Sequence, residues 1–379
     1  MSNEKIVHSL NSDVASPSFI LTADVHLGKK LYNMPELEED MKDNLAELAK
    51  IVLDKKVDYF IIAGDLFEDN SNVKAHTITF VKSIVQKLKQ NGTRTVGIAG
   101  DHDKPVKKAS WVYLCEIEPV TIEPAFAGID YFDYSTTTVD ELINLLKGGR
   151  DCDKVLWLFL HCQFPQIFER AEPKKLIDYN RLNLFQNFPN IQGVIAGDLH
   201  FAPETVAYGV GHKAYVGYPG SLGVNDRSEF DHVKHVLYCD GKSLSHIPIS
   251  ILRNIREIDF RGKLIETFDV DEHIKWAKTQ TRKPIFFIHY DSDSQNHMTK
   301  LIPLYQVGLV KPHQVPIGIT NPNEAEVISC RSEMSTNDKV TKALKHFCAD
   351  DDELYKLSSS LLNEDPKDVL DKFKEQYKL

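Results

Sequence analysis

Three apolar runs in this chain end in the same tripeptide: Ala63-Gly64-Asp65, Ala99-Gly100-Asp101 and Ala196-Gly197-Asp198. A fourth, Phe19 to Thr22, runs into Ala23-Asp24. At average residue usage, well under one Ala-Gly-Asp is expected in a chain of this length. The flanking residues differ and the intervals are unequal, which excludes a repeat array. Three of the carboxylates have a histidine close by, in Asp24-Val25-His26, Asp101-His102-Asp103 and Asp198-Leu199-His200, and His161 closes another apolar run. Asp and His gathered at one place form the donor set for a pair of divalent cations and for phosphoester chemistry. Taken singly, each residue has a plainer use. His161 could be a satisfied core histidine, Asp24 or Asp65 a helix N-cap, and Asp103 the cap of the turn before Pro105. The combined order, with each group directly after an apolar run, favours the shared site.

The elements that must position these groups read as follows. Phe19–Ala23, Val57–Ala63 and Thr95–Ala99 are strands. Between them, a helix opens at Pro35 and buries Leu37, Met41, Leu45, Leu48 and Val52 at a 3.6-residue period. A second helix over Val73–Leu88 turns Ile78, Val81, Ile84, Val85 and Leu88 inward and stops at Asn91-Gly92. Strand–helix–strand spacing of this kind predicts right-handed parallel crossovers, whose carboxyl ends form the ligand-binding edge of an open sheet.

Val155–Leu160 and Ile191–Ala196 are continuously apolar, as strands covered on both faces are. Shorter strands follow at Thr205–Tyr208, His212–Val216, Val233–Tyr238 and Leu244–Ile249, with an antiparallel texture. Ile255–Asp259, Asp271–Ala277 and Pro284–His289 make a small second α/β unit, and Lys311 to Asn323, with three prolines, reads as a loop. From about Ser335 the chain is polar and helical. Its last stretch puts Val369, Leu370, Phe373 and Tyr377 on one stripe suited to docking on a partner or on its own domain.

With 42% hydrophobic and 26% charged residues, the composition is that of an ordinary globular protein. A net charge of -10 excludes a histone-like basic binder but leaves nucleic acid open, since bound cations can reverse the local potential. Six cysteines without a C-x-x-C spacing, a polar amino terminus and no membrane-length apolar run predict a soluble, cytoplasmic protein with reduced thiols.

The order Asp-x-His, Gly-Asp, Gly-Asp-His-Asp, His, Gly-Asp-x-His resembles that of the calcineurin-type metallophosphoesterases. Their signature is Asp-x-His, Gly-Asp, Gly-Asn-His-Asp/Glu, His, Gly-His-x-His. Asp24-Val25-His26-Leu27-Gly28, Gly64-Asp65-Leu66-Phe67 and Tyr218-Pro219-Gly220-Ser221 are similar, more narrowly, to SbcD-class nuclease subunits of double-strand-break repair complexes. The resemblance covers roughly residues 18–245 by motif. It implies an α/β fold, a mixed β-sandwich flanked by helices, with a small α/β capping domain and a C-terminal helical tail. The corresponding boundaries are 1–248 for the nuclease domain, 249–325 for the domain controlling DNA access, and 326–379 for an ATPase-docking tail.

By position, the resemblance implies that Asp24, His26 and His200 hold a first metal and that Asp65 bridges to a second. Asp101, His161 and Asp198 complete the second, with His102 beside the scissile phosphate. It also implies a 3′–5′ exonuclease and single-strand endonuclease, a homodimer, and an SbcC-like coiled-coil ATPase as partner. The chain departs from the signature at Asp101, where the family has Asn, and at Asp198, where it has His. Both add negative charge to the second position, so that four carboxylates would face two cations in a formally neutral centre. Oxygen-preferring Mn²⁺, or else Mg²⁺, is therefore expected over Zn²⁺.

Lys29, Lys30, Lys104, Lys107 and Lys108 follow the ligand-bearing loops and could flank a DNA cleft, although a solvated charge run is the plainer use of such groups. Asp240-Gly241-Lys242-Ser243 lacks the leading glycine of a phosphate-binding loop, since Val236 stands there. Cys162 beside His161 reads as a core thiol, and His76 as a surface residue. Two other readings remain open at this point: a phosphatase or small-molecule phosphodiesterase on the same scaffold, and a catalytically inactive DNA-binding subunit.

Overall fold

Continuous apolar runs build the inner strands of two sheets, which are covered on both faces. The computed structural model describes residues 5–10, 15–30, 34–68, 73–103, 111–169, 171–202, 204–208, 213–229, 232–250, 253–261, 268–292 and 294–315. The chain divides into two units: Met1–Ile255 with Gln280–Arg282, and Arg256–Thr279 with Lys283–Leu379. The 326–379 tail, with Val369, Leu370, Phe373 and Tyr377, lies outside the described residues, as do Lys104, Lys107 and Lys108.

In the first unit, β1 (Lys5–Ser9), β2 (Phe19–Thr22), β3 (Tyr59–Ala63), β4 (Arg94–Ile98) and β5 (Glu118–Pro119) belong to a seven-stranded sheet. Strands β2 to β5 run parallel. Helix α1 (Pro35–Lys55) links β2 to β3, and α2 (Ala75–Gln90) links β3 to β4. Pro35 occupies the first helical turn, where its missing N–H costs nothing, and the expected apolar stripe of α1 is buried. A second sheet, five-stranded, holds β6 (Phe126–Gly128), β7 (Trp157–His161), β8 (Gly193–Gly197), β9 (Glu204–Tyr208) and β10 (Lys213–Gly217).

Alternation along each strand sorts its side chains between two cores. In β3, Phe60 and Ile62 face the α1–α2 layer, while Tyr59, Ile61 and Ala63 face the opposing sheet. In β7, Trp157 and Phe159 meet that same central layer, and Leu158 and Leu160 face outward beneath a third cluster. Phe19 packs edge-on against Trp157 with ring centroids 4.9 Å apart, and against Phe126 and Phe159 at 6.0 and 6.1 Å. The result is the mixed β-sandwich between helical layers.

The four short strands are not uniformly antiparallel, as their texture suggested. β9 and β10 pair antiparallel with each other, yet β10 runs parallel to β8. β11 (Lys234–Cys239) and β12 (Ser243–Ile249) cross to the first sheet, where β11 pairs antiparallel with β2 and β12 pairs with β1. Both hairpins are locally antiparallel, but partner choice is a tertiary matter that local pattern does not encode.

The second unit has β13 (Ile255–Asp259), the helix Val270–Lys278, β14 (Ile285–Tyr290) and β15 (Leu309–Gln314) in sheet order β13-β14-β15. Residues 311–314, expected in a loop, are a strand parallel to β14, with Pro312 paired opposite Ile288. Proline is tolerated because β15 is an edge strand and the missing N–H need not enter the ladder. Phe260, Phe286, Ile288, Leu301 and Leu304 form this unit's own core.

Candidate metal centre

The parallel strands β2, β3, β4, β7 and β8 deliver Asp24, Asp65, Asp101, His161 and Asp198 from their carboxyl ends. Four interlocking groups result, each with ligand atoms within 4.8 Å of one another: Asp24–His26–His200, Asp24–Asp65–His161, His26–Asp65–His102 and Asp101–His161–Asp198. All eight residues singled out from the sequence are thereby brought together.

Asp65 is at the centre. Its Oδ1 accepts the His102 backbone N–H at 2.9 Å, while Oδ2 lies 3.7 Å from His26 Nε2 and 3.3 Å from His161 Nε2. One carboxylate oxygen thus faces imidazoles from both halves of the cluster. The Asp24 carboxylate, wholly buried, accepts the Asp198 N–H and so ties the two sheets together. Asp24, His26, Asp65 and Asp198 have φ of 50°, 50°, 52° and 93°, which is unusual for residues with a side chain. Such strain costs on the order of 1–3 kcal/mol per residue and gathers where geometry serves a site.

The small residues before the carboxylates have a concrete steric role. A Cβ on Gly64 would overlap the His161 ring, one on Gly100 would overlap the Asp65 carboxylate, and one on Gly197 would sit 2.7 Å from His161 Nδ1. The glycines therefore clear space for the side chains of His161 and Asp65.

Each imidazole is oriented through its second nitrogen. His200 Nδ1 meets Glu229 Oε1 at 2.6 Å, His26 Nδ1 faces Glu68 Oε2 at 2.8 Å, and His161 Nδ1 donates to the Ala63 carbonyl at 3.2 Å. This fixes the Nε2 atoms as those directed inward, and His26 Nε2 and His200 Nε2 stand 3.2 Å apart. His102 Nδ1 donates to the Glu68 carbonyl at 2.8 Å, so its Nε2 is the other, outer nitrogen. Glu229 is anchored in turn by Ser221 Oγ, the Asn225 N–H and Lys234 Nζ, at 2.9, 3.1 and 2.5 Å.

The electrostatics follow from burial and crowding. Burial raises Asp24 above the usual carboxylate range, against the pull of His161 and His200. Burial works the same way on Asp65, but His161, His26 and His102 outweigh it and hold this carboxyl well below its usual value. Burial would raise Asp101 too, yet the His161 hydrogen bond overcomes it and holds the group at about 2. His161, His200 and His102 are raised: burial lowers each, and the facing carboxylates, led by Asp65 for His161 and His102 and by Glu229 for His200, overcome it. The carboxylates here draw positive charge onto the imidazoles. A divalent cation supplies that charge with the histidines neutral, so the donor set fits a metal pair.

Several partners were not legible in the sequence. Lys175 ion-pairs with both Asp198 Oδ1 and Asp101 Oδ2, the latter at 3.1 Å, and Gln163 Nε2 donates to Asp198 Oδ2 at 2.6 Å. Lys175 places beside the second position a positive charge that the four-carboxylate count omitted. Glu68 comes from a loop and Glu229 from the short 3-10 turn Arg227–Glu229, neither with metal-ligand spacing. Asp103 is an internal strut that accepts the N–H groups of Gly100, Leu66 and Phe67 at 3.1, 3.1 and 3.0 Å, and the turn before Pro105 lies outside the described residues. Lys29 Nζ points to Glu68 at 3.5 Å, and Lys30 is exposed. Cys162 is buried with its thiol pushed well up by desolvation, and His76 is exposed on α2.

Residues 17–202 match the calcineurin-like phosphoesterase family, and this part of the chain is a domain of that family. Among curated proteins, a 91-residue stretch is 37% identical to the DNA double-strand break repair protein Mre11 of Sulfurisphaera tokodaii, covering 24% of this chain and 23% of that protein. A 117-residue stretch is 38% identical to the SbcD component of the SbcCD nuclease of Bacillus subtilis, covering 31% of this chain and 27% of that one. A longer match, 27% identical over 227 residues, covers 55% of this chain and 34% of the Mre11 of Methanosarcina mazei. The chain thus spans about a quarter to a third of the length of these relatives in the matched parts. A dimetal phosphatase from Danio rerio overlaps 62% of this chain and 100% of its own, with a TM-score of 0.40 and 13% identity. Among the described residues, no helix is long and apolar enough to cross a membrane.

Proposed function

We propose that this protein is a two-metal phosphodiesterase that cuts DNA, the nuclease subunit of an SbcC–SbcD-like repair or recombination complex. Four interlocking Asp/His groups, two of which share Asp65, with His102 at their edge, carry the reading. In it Asp24, His26 and His200 would hold the first ion, Asp65 would be shared, and Asp101, His161 and Asp198 would hold the second. Two divalent cations there would polarise a phosphoryl oxygen and provide a water nucleophile at neutral pH. The second position offers three carboxylates and one imidazole, an oxygen-rich set that favours Mn²⁺ or Mg²⁺ over Zn²⁺.

His102 serves as the general acid. Its Nδ1–H is committed to the Glu68 carbonyl, and the neighbouring Asp65 favours the protonated ring, which leaves Nε2–H to protonate a departing alkoxide. Glu68, half-buried behind His26, and Glu229, buried behind His200, keep those rings in register, so little reorganisation accompanies the reaction.

The likeness to SbcD and Mre11 proteins supports DNA over a small phosphate ester as substrate. In the same reading the enzyme is a 3′–5′ exonuclease and single-strand endonuclease, a homodimer, and cytoplasmic. The 249–325 segment caps the DNA path, and the 326–379 tail binds the coiled-coil base of an ATPase. Lys29, Lys30, Lys104, Lys107 and Lys108 hold flanking phosphates.

Digestion of linear duplex and single-stranded DNA in Mn²⁺, with metal content measured on the same samples, tests this. Asp65→Asn loses both bound metal and cutting. His102→Ala keeps the metal and loses about 10²–10⁴-fold in rate. Equal cutting by wild type and both variants overturns the assignment. Removing the residues after Ser335 abolishes ATPase binding while hydrolysis of a model phosphodiester continues; retained binding refutes the docking role.

A further inference from the structure

We propose that Lys175 is a tethered cation at the second metal position, where its ammonium competes for Asp101 and Asp198 and makes the two ions bind in order. This rests on the two-metal reading above and adds to it a residue that tunes one of the two positions.

The geometry differs between the halves of the cluster. On the second side, Lys175 Nζ contacts Asp198 Oδ1 and lies 3.1 Å from Asp101 Oδ2, while His161 Nε2 takes Asp101 Oδ1 at 3.1 Å and Gln163 takes the other Asp198 oxygen. Every carboxylate oxygen of Asp101 and Asp198 therefore faces a donor from the protein. On the first side, the nearby lysines Lys29 and Lys234 pair with Glu68 and Glu229, the carboxylates behind the imidazoles. Among the described residues, no lysine is shown paired with Asp24 or Asp65, whereas an ion at the second position must displace an ammonium from Asp101 and Asp198.

Lys175 is positioned by a built turn. Gln163 N–H donates to the Lys175 carbonyl at 2.8 Å, Ile177 N–H to the Gln163 carbonyl at 3.0 Å, and Lys175 N–H to the Glu172 carbonyl at 2.9 Å. Glu172 N–H also reaches Gln163 Oε1 at 2.7 Å. Gln163 follows His161 by two residues, so the segment that carries the lysine is stitched to the end of the strand that carries the ligand. The Lys175 side chain is only 17% exposed, and Asp198's is 3%. A charge held this close in a site of low dielectric acts on an incoming cation far more strongly than a solvated lysine does.

Calorimetric titration of the chelator-stripped full chain with Mn²⁺, together with a spectroscopic count of free ion, reads the two affinities separately. Wild type binds two ions in resolved steps. Lys175→Met tightens the weaker step by roughly tenfold or more, because a unit positive charge is removed from beside the ligands. The tighter step moves less than about threefold, since its ligands do not touch the lysine. Lys175→Arg retains the wild-type pattern. If Lys175→Met fails to fold, Lys175→Gln, which drops the charge and keeps a donor, gives the same tightening. An unchanged or weakened second step in the uncharged variants overturns the proposal while two-ion binding stands. Two ions of equal affinity in wild type also overturn it. No Mn²⁺ binding by wild type defeats the two-metal reading itself, and this proposal with it.

Discussion

Replacing Gly64 by alanine separates two costs that the structure combines at one residue. Gly64 has φ of +92°, and an added Cβ would overlap the His161 ring. The left-handed backbone alone costs an L residue about 1–2 kcal/mol. Forcing a methyl group into the packed ring adds about 1–3 kcal/mol. Gly92 provides the control, with φ of +90° and nothing within 4 Å of where a Cβ would sit, so its alanine variant carries only the backbone term. Gly64→Ala should therefore lose about 2–5 kcal/mol, and Gly92→Ala about 1–2 kcal/mol. For a unit of this size each kcal/mol lowers Tm by about 2–4 °C. Urea unfolding gives the free energies, and Mn²⁺ titration reports on the ligands. Gly64→Ala should also lose the second ion, because the steric load falls on His161, whereas Gly92→Ala binds as wild type does. Equal destabilisation of the two variants, with metal binding intact in both, would refute the claim that the His161 ring occupies the space a Gly64 side chain would need.

Other outcomes follow from the same geometry. Glu229 is buried, and burial would raise it, but His200 and Lys234 hold it at about 2 against the ordinary value of 4.5. A depressed carboxyl contributes stability that is present above the ordinary value and lost as pH falls toward the folded one, here about 3 kcal/mol. Glu229→Gln should be less stable at pH 7 and approach wild type near pH 2; parallel urea midpoints across that range would contradict this. Cys115 and Cys239 are buried, with thiols pushed up to about 12 and about 11 chiefly by burial, so both should resist a thiol-disulfide probe at pH 8 in the native state and react after unfolding. Rapid native labelling of either would show that it is open to solvent.

What the sequence determined by itself was which side chains are candidate ligands and the strands that end in them. Apolar runs covered on both faces fix β3, β7 and β8 locally, and the glycine before each carboxylate marks the close approach. Asp24, Asp65, Asp101 and Asp198 were readable because Ala-Gly-Asp, or in one case Ala-Asp, closes four apolar runs. Histidine at fixed offsets completed the set.

Only tertiary structure decided what surrounds them. Glu68, Lys175 and Glu229 reach the cluster from loops and a short 3-10 turn whose local sequence carries no metal-ligand spacing, and Gln163 acts through a turn closed by backbone hydrogen bonds. The parallel partner of β10, the crossing of β11 and β12 to the first sheet, and Pro312 in an edge strand were likewise settled by pairing at long range. Periodicity reports which face of an element is apolar, but not which distant element covers it. The net charge of the second position depends on a lysine 74 residues from Asp101 in the chain and 3.1 Å from it in space, which no local pattern could have paired.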